Sequence, residues 1–396
     1  LVASRRLFEI GLYATGPVAI FVTAPILARG LGPEGRGELG VAQSVASFAL
    51  ALGAVGQAEV YLSDRKNGSG NIQVAGRIAF LGATVTSILA AIWSLVLGVS
   101  PFVVLATVIL IPLLSQSQLW RSSAIAGRRL SLPAFNNAAG AILRVVLLLA
   151  LVFVAALSTA SAMLAIQLSA ALAALLTVGA YSFRQPREAI GKPGRGSYKD
   201  SFRRGLPLIA FSLLTSVTLR SDIIALQVFD DAEAVGIYAA AASLSMAVLS
   251  ISGAFKTRAQ GAVFDANPRR SVRRELLVVG CVGSVGALGA IILSPWIVEV
   301  LLGPRFESAV PILQVLAVSC VALLVLDTVH GVLAVLGKRR IMVLVGGTGA
   351  ATRLATLLVF VPSLGPMGAA ISTVISYTVA SLVGWIVIHR GLAKAI

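Results

Sequence analysis

Charge is scarce in this chain of 396 residues: only 12% are Asp, Glu, Lys or Arg, and just 16 are acidic. With 57% hydrophobic residues and a mean hydropathy of +0.93, that scarcity excludes an ordinary soluble globular protein. The two cysteines, Cys281 and Cys320, both fall in apolar stretches. They have neither metal-ligand spacing nor the pattern of a secreted disulfide framework, so they read as small buried hydrophobes. Nothing resembles a nucleotide-binding loop, a metal cluster or a catalytic triad, so no cofactor, no metal and no enzymatic activity are expected. The apolar runs are continuous and lack two-residue alternation, which excludes an outer-membrane barrel. The first run has no clear small-residue cleavage site, so no cleavable signal peptide is expected.

What is present is a series of apolar runs, each of the ~20 residues that a helix needs to cross a ~30 Å hydrocarbon core. Twelve recur, at 8–28, 38–62, 77–97, 102–120, 134–156, 160–183, 205–228, 234–255, 276–298, 309–336, 341–361 and 367–389. The expected fold class is therefore an all-α integral membrane protein of twelve transmembrane helices.

The net charge of +16 raises the question of a nucleic-acid partner, and the placement of the 32 basic residues answers it. The N-terminal end and the loops after every second span carry 26 of them, seven of these between Arg184 and Arg204, whereas the opposite loops carry three, Arg29, Arg36 and Arg305. This asymmetry is the positive-inside rule and places both termini in the cytoplasm. The basic charge is thus topological, its natural neighbours are anionic membrane lipids, and no nucleic acid is implied. The outer loops are short and acidic, as in Asp230, Asp231 and Glu233, and leave no external domain for a soluble-type active site.

One long polar stretch, "RQPREAIGKPGRGSYKDSFRRG" from Arg184, divides the spans six and six. It reads as a cytoplasmic linker at 184–204 between lobes at 1–183 and 205–396, either flexible or ending as an amphipathic turn on the membrane surface. The halves also resemble each other. "GRRLSLPAFNNAAGAILRVVLLLALV" from Gly127 aligns with "GKRRIMVLVGGTGAATRLATLLVFV" from Gly337, pairing Arg144 with Arg353. "GRGELGVAQSVASFALALG" from Gly35 aligns with "EAVGIYAAAASLSMAVLSISG" from Glu233, pairing Gly37 with Gly236 and Ser44 with Ser243. Six spans per half give parallel repeats about an axis along the membrane normal, the pseudo-two-fold arrangement in which transporters expose a midplane site alternately to each side.

Four segments carry a family resemblance: "ARGLGPEGRGELG", "RSDIIALQVFDDAEAVGIYAAAASL", "LGPRFESAVPILQVLA" and "VPSLGPMGAAISTVISY". Together, in register across the spans, they resemble the polysaccharide or O-antigen (Wzx-type) flippases of the multidrug/oligosaccharidyl-lipid/polysaccharide exporter superfamily. The resemblance implies a V-shaped exporter architecture in the bacterial cytoplasmic membrane. Its implied cargo is an undecaprenyl-pyrophosphate-linked oligosaccharide for cell-surface polysaccharide biosynthesis, with a polysaccharide polymerase and glycosyltransferases as partners. A cation-coupled multidrug antiporter of the same superfamily and a lipid II flippase are the alternatives. Aromatic content of 6% and arginines as the deepest bases favour an anionic cargo over cationic drugs.

Ionisable residues inside spans are expensive and mark function or helix pairing. Arg144, Arg220 and Arg353 are the basic residues well inside spans. Converging on a cavity, they would neutralise a pyrophosphate or acidic sugars through the guanidinium fork; the alternative is pairing with carboxylates. By helical spacing Arg220 shares its face with Ser216 and Gln227, while Asp222, about 200° around the axis, faces elsewhere. Asp222 therefore reads as a helix-pairing carboxylate or a coupling site. Asp327 and His330 share one face of span 10 and read as a proton relay or a packing pair. Glu9 and Glu59 near inner span ends read as interfacial. Gly16, Pro17 and Pro25 in span 1, Pro112 in span 4, and Gly205 with Pro207 at the start of span 7 are expected to bend or open those helices.

Overall fold

The computed structural model describes residues 2–66, 71–126, 131–182, 195–246, 249–263, 267–336 and 338–393. Among them every regular element is a helix. Among the described residues eight helical stretches are long and apolar enough to cross a membrane, and Ala232–Met246 is a shorter apolar helix. One of the eight, Arg340–His389, is 50 residues long, about 75 Å at 1.5 Å per residue, and so suffices for two spans. The twelve expected spans are compatible with these helices.

The chain forms two compact units, Leu1–Ala19 with Val41–Ser216, and Ile20–Gly40 with Val217–Ile396. Residues 20–40 thus group with the second unit and 205–216 with the first.

The first unit is built inside out relative to a soluble protein, because lipid rather than water surrounds it. Along α3 (Ile72–Val96) the buried positions are almost all small, Ala75, Ala79, Ala83, Ser87, Ala90 and Ser94. Leu81, Val85, Ile88, Leu89 and Ile92 are exposed. Small residues let helix backbones approach, and the large apolar ones dissolve in acyl chains. The close approach is visible at Thr86, whose hydroxyl donates to the Ala49 carbonyl of α1 (Val2–Gly53) at 2.8 Å, and at Gly53, where a Cβ would sit 2.5 Å from Ala83 Cα. Span 4 is interrupted where proline removes a donor: α4 (Pro101–Val108) ends and α5 (Ile111–Ala126) begins just before Pro112. The unit is completed by α2 (Gln57–Lys66), α6 (Ser131–Phe153), α7 (Thr159–Ser182) and the first part of α8 (Arg195–Phe229).

Helix α8 departs from the sequence expectation. It is already helical at Arg195 and runs through Gly205 and Pro207 without a break, so its linker end at 195–204 is an extension of span 7. Residues 184–194 lie outside the described residues. Gly205 is required by proximity: a Cβ there would be 2.3 Å from the Val55 carbonyl oxygen. Val55 and Gly56 adopt φ of 51° and 58° in the turn between α1 and α2. The turn is fastened to α8 by Gln57, whose amide donates to the Ser201 carbonyl at 3.4 Å and whose Oε1 accepts from the Ser201 hydroxyl at 2.8 Å. Arg204 pairs with Asp64 beside it.

In the second unit, α9 (Ala232–Met246), α10 (Leu249–Ala262), α11 (Pro268–Ile297), α12 (Ala309–Val335) and α13 (Arg339–Ala393) join residues 20–40 of α1. Val272, Leu276, Leu326, Val329, Leu333, Val345 and Ile388 form a shared apolar core of α11, α12 and α13. The bends fall at glycines rather than at the prolines expected to break span 1: α1 is helical through Pro25 and non-helical at Gly32 (φ 68°), and α13 is non-helical at Gly365 (φ 51°). Past its bend, α1 crosses α9 at the two glycines that the internal repeat pairs. A Cβ on Gly236 would lie 1.7 Å from the Pro33 carbonyl oxygen, and one on Gly37 3.0 Å from Gly236 N.

Candidate functional site

Three segments of the second unit meet at Asp222 on α8. Its Oδ2 accepts from Arg353 Nη2 at 2.7 Å and from the Tyr238 hydroxyl, and its Oδ1 accepts from Ile223 N at 2.9 Å. Arg353 lies before the Gly365 bend of α13, and its other contacts come from beyond it: Ser376 Oγ at 3.4 Å and the Tyr377 ring, 5.6 Å from the guanidinium carbon to the centroid. Tyr238 also reaches Thr373 Oγ1 at 3.2 Å. Arg353 is 0% exposed and Asp222 4%, so this is a fully desolvated ion pair tying α8, α9 and both halves of α13 together. Such a pair adds little net stability over an apolar substitute, but losing one partner strands a buried charge.

Arg220, two residues from Asp222, is differently placed. It is half-buried and, among the described residues, forms no ion pair. Electrostatically it interacts with Arg36. Sequence reading counted Arg36 as a loop residue, yet it is 3% exposed; its Nη2 donates to Ser243 Oγ, and its Nη1 is buried without a partner among the described residues. Its position follows from local sequence: Gly32 bends α1, and Gly37 and Gly40 let α1 lie directly on Gly236 and Ala239 of α9, which encloses the side chain between them. The signal available beforehand was an arginine flanked by Gly35 and Gly37 next to the small-residue run of α9.

The remaining predicted residues are dispersed. Ser216 and Gln227 on α8 are both half-buried, Ser216 in the first unit and Gln227 in the second. Arg144, on α6 in the first unit, is half-buried, with Nε buried and unpartnered among the described residues. Asp327 on α12 accepts from Lys256 Nζ at 2.9 Å and from the Ser252 hydroxyl at 2.8 Å, both from α10. The Lys256 stem lies across Gly331, where a Cβ would be 2.6 Å from Lys256 Cγ. His330 is half-buried one turn from Asp327, so the pair read from sequence gains a lysine that the sequence reading did not associate with it. The side chains of Glu9 and Glu59 lie outside the described residues.

Asp222 and Asp327 are thus each matched by a cation, whereas among the described residues Arg36 and Arg220 form no ion pair. Among curated proteins, none matches the sequence. Solved structures give the fold. An inward-facing multidrug resistance MATE family transporter of the MOP superfamily superposes with a TM-score of 0.68 at 16% identity, covering 96% of each chain. A Vibrio cholerae MATE transporter superposes with a TM-score of 0.66 at 15% identity, covering 99% of this chain and 97% of that one. The lipid II flippase MurJ, in an inward closed conformation, superposes with a TM-score of 0.69 at 12% identity, covering 96% of this chain and 86% of its own. The family model described as "Polysaccharide biosynthesis protein" matches residues 10–260, well over half of the sequence. The chain, a multi-pass membrane protein with the MOP-superfamily fold, belongs to the polysaccharide biosynthesis protein family.

Proposed function

We propose that this protein flips an undecaprenyl-pyrophosphate-linked oligosaccharide from the inner to the outer leaflet of the bacterial cytoplasmic membrane by alternating access, with both termini in the cytoplasm. The observation that carries the reading is the buried Arg36, whose Nη1 has no partner and which interacts electrostatically with Arg220, neither of them in an ion pair among the described residues. A sugar headgroup cannot cross hydrocarbon unaided, because each buried hydroxyl without a partner costs on the order of kilocalories per mole. Two neighbouring guanidinium groups repel each other until an anion lies against them, and a pyrophosphate matches their planar forks.

In this reading Arg220, with Ser216 and Gln227 along α8, contacts the cargo. Arg353 serves the site by holding Asp222. The Asp327, Lys256 and His330 group takes the coupling or helix-pairing role. Cationic drugs would require an acidic, aromatic lining, and the excess of arginine weighs against them.

The test is expression in a cell lacking its own polysaccharide flippase. Restored surface glycan, with loss of the lipid-linked precursor from the inner leaflet, supports the proposal. No restoration, together with lowered uptake of cationic dyes, would replace it with the multidrug reading. Restoration only of lipid II transport would replace it with the peptidoglycan reading.

A further inference from the structure

Helix α11 carries a feature that the cargo site does not use. Arg270, Arg273 and Arg274 border an open groove of about 450 Å³, and Leu277, Val278 and Val282 floor it. The spacing of three and four puts them on one helix face. That face continues beyond the groove with exposed Val285, Leu288, Ile292 and Trp296. From Leu277 to Trp296 the helix rises about 28 Å, close to the thickness of a hydrocarbon core. The arginines therefore stand at one membrane border and the tryptophan at the other, as interfacial anchors do.

The nearby carboxylate is already taken: Glu275 pairs with Arg258 at 3.1 Å, and Arg269 lies 3.3 Å from His389 Nε2. Among the described residues, none of Arg270, Arg273 and Arg274 is in an ion pair. Three uncompensated guanidinium groups thus lie at headgroup depth directly above an exposed apolar channel.

We infer that this groove is a binding site for an anionic phospholipid, its phosphate held by Arg270, Arg273 and Arg274 and its acyl chains laid along Leu277, Val278 and Val282. Charge complementarity selects the occupant. A zwitterionic headgroup brings its own cation to the cluster, whereas phosphatidylglycerol brings net negative charge.

The groove contains its own reporter: Cys281 lines it and is exposed, while Cys320 is buried. The experiment measures the alkylation rate of Cys281 in the purified full-length protein, in neutral detergent titrated with phosphatidylglycerol, phosphatidylcholine or undecaprenyl phosphate. Phosphatidylglycerol should slow alkylation at mole fractions about a hundredfold below those at which phosphatidylcholine does, since each of the three basic residues near the surface adds about fivefold in affinity. The triple variant Arg270→Gln, Arg273→Gln, Arg274→Gln should lose this preference, and the triple lysine variant should keep most of it. These side chains are exposed, and an unchanged elution profile shows that the variants are folded. Equal protection by both phospholipids, or a preference that survives the glutamine variant, overturns the site. Stronger protection by undecaprenyl phosphate than by phosphatidylglycerol also overturns it, and assigns the groove to the cargo lipid instead.

Discussion

Arg220 and Asp222 lie two residues apart and take opposite roles. Asp222 sits in a desolvated network with Arg353 and Tyr238, so Asp222→Ala strands a buried guanidinium and should destabilise the fold by about 3–5 kcal/mol. The check is the melting temperature in detergent together with membrane abundance. Asp222→Leu combined with Arg353→Leu should lose less than either single change, because the double variant leaves no orphaned charge. Additive losses would mean that the pair is not a unit. The sequence showed that Asp222 faces away from Arg220, because that is helix geometry. It did not show Arg36, because a positive-inside count treats any arginine between spans as a loop residue. Only the bend at Gly32 and the glycine crossing with α9 turn that side chain inward.

At the scale of elements, glycine is used for two different physical reasons, and substitution separates them. Gly236 is a site of close approach, with a Cβ falling 1.7 Å from a backbone oxygen, so Gly236→Ala must separate α1 from α9. It should cost about 3 kcal/mol or more, at the severe end of overpacking. Gly98 has φ of +78° and nothing within 4 Å of its Cβ, so Gly98→Ala should cost only the left-handed backbone penalty of about 1–2 kcal/mol. Equal losses, measured by thermal unfolding in detergent, would contradict the helix crossing. The prolines were a poorer guide than the glycines: α1 is helical through Pro25, and α8 is helical through Pro207. A proline in a membrane helix removes one donor, which neighbouring groups can compensate, whereas a positive φ cannot be continued in a right-handed helix.

Composition and the spacing of apolar runs are whole-molecule properties, and for that reason the all-helical membrane class was legible before any geometry. The placement of 20–40 with the second unit was not, since hydropathy says where a helix lies in depth and nothing about which neighbours it packs against. Charge placement leads to a topology that can be measured. In a background with Cys281→Ser and Cys320→Ala, single cysteines at Gly194 and Asn267 should label only from the cytoplasmic side, and one at Asp231 only from outside. Labelling of Gly194 from outside would contradict twelve spans with cytoplasmic termini. The central claim concerns the anion, and its most direct measurement is the rate of lipid-linked oligosaccharide flipping by reconstituted protein bearing substitutions at Arg220. Arg220→Ala should abolish flipping with the melting temperature unchanged, and Arg220→Lys should restore part of the rate, because it keeps the charge and loses the fork. Normal flipping by Arg220→Ala, or a fall in melting temperature as large as that of Asp222→Ala, would contradict the account and leave Arg220 as a structural side chain.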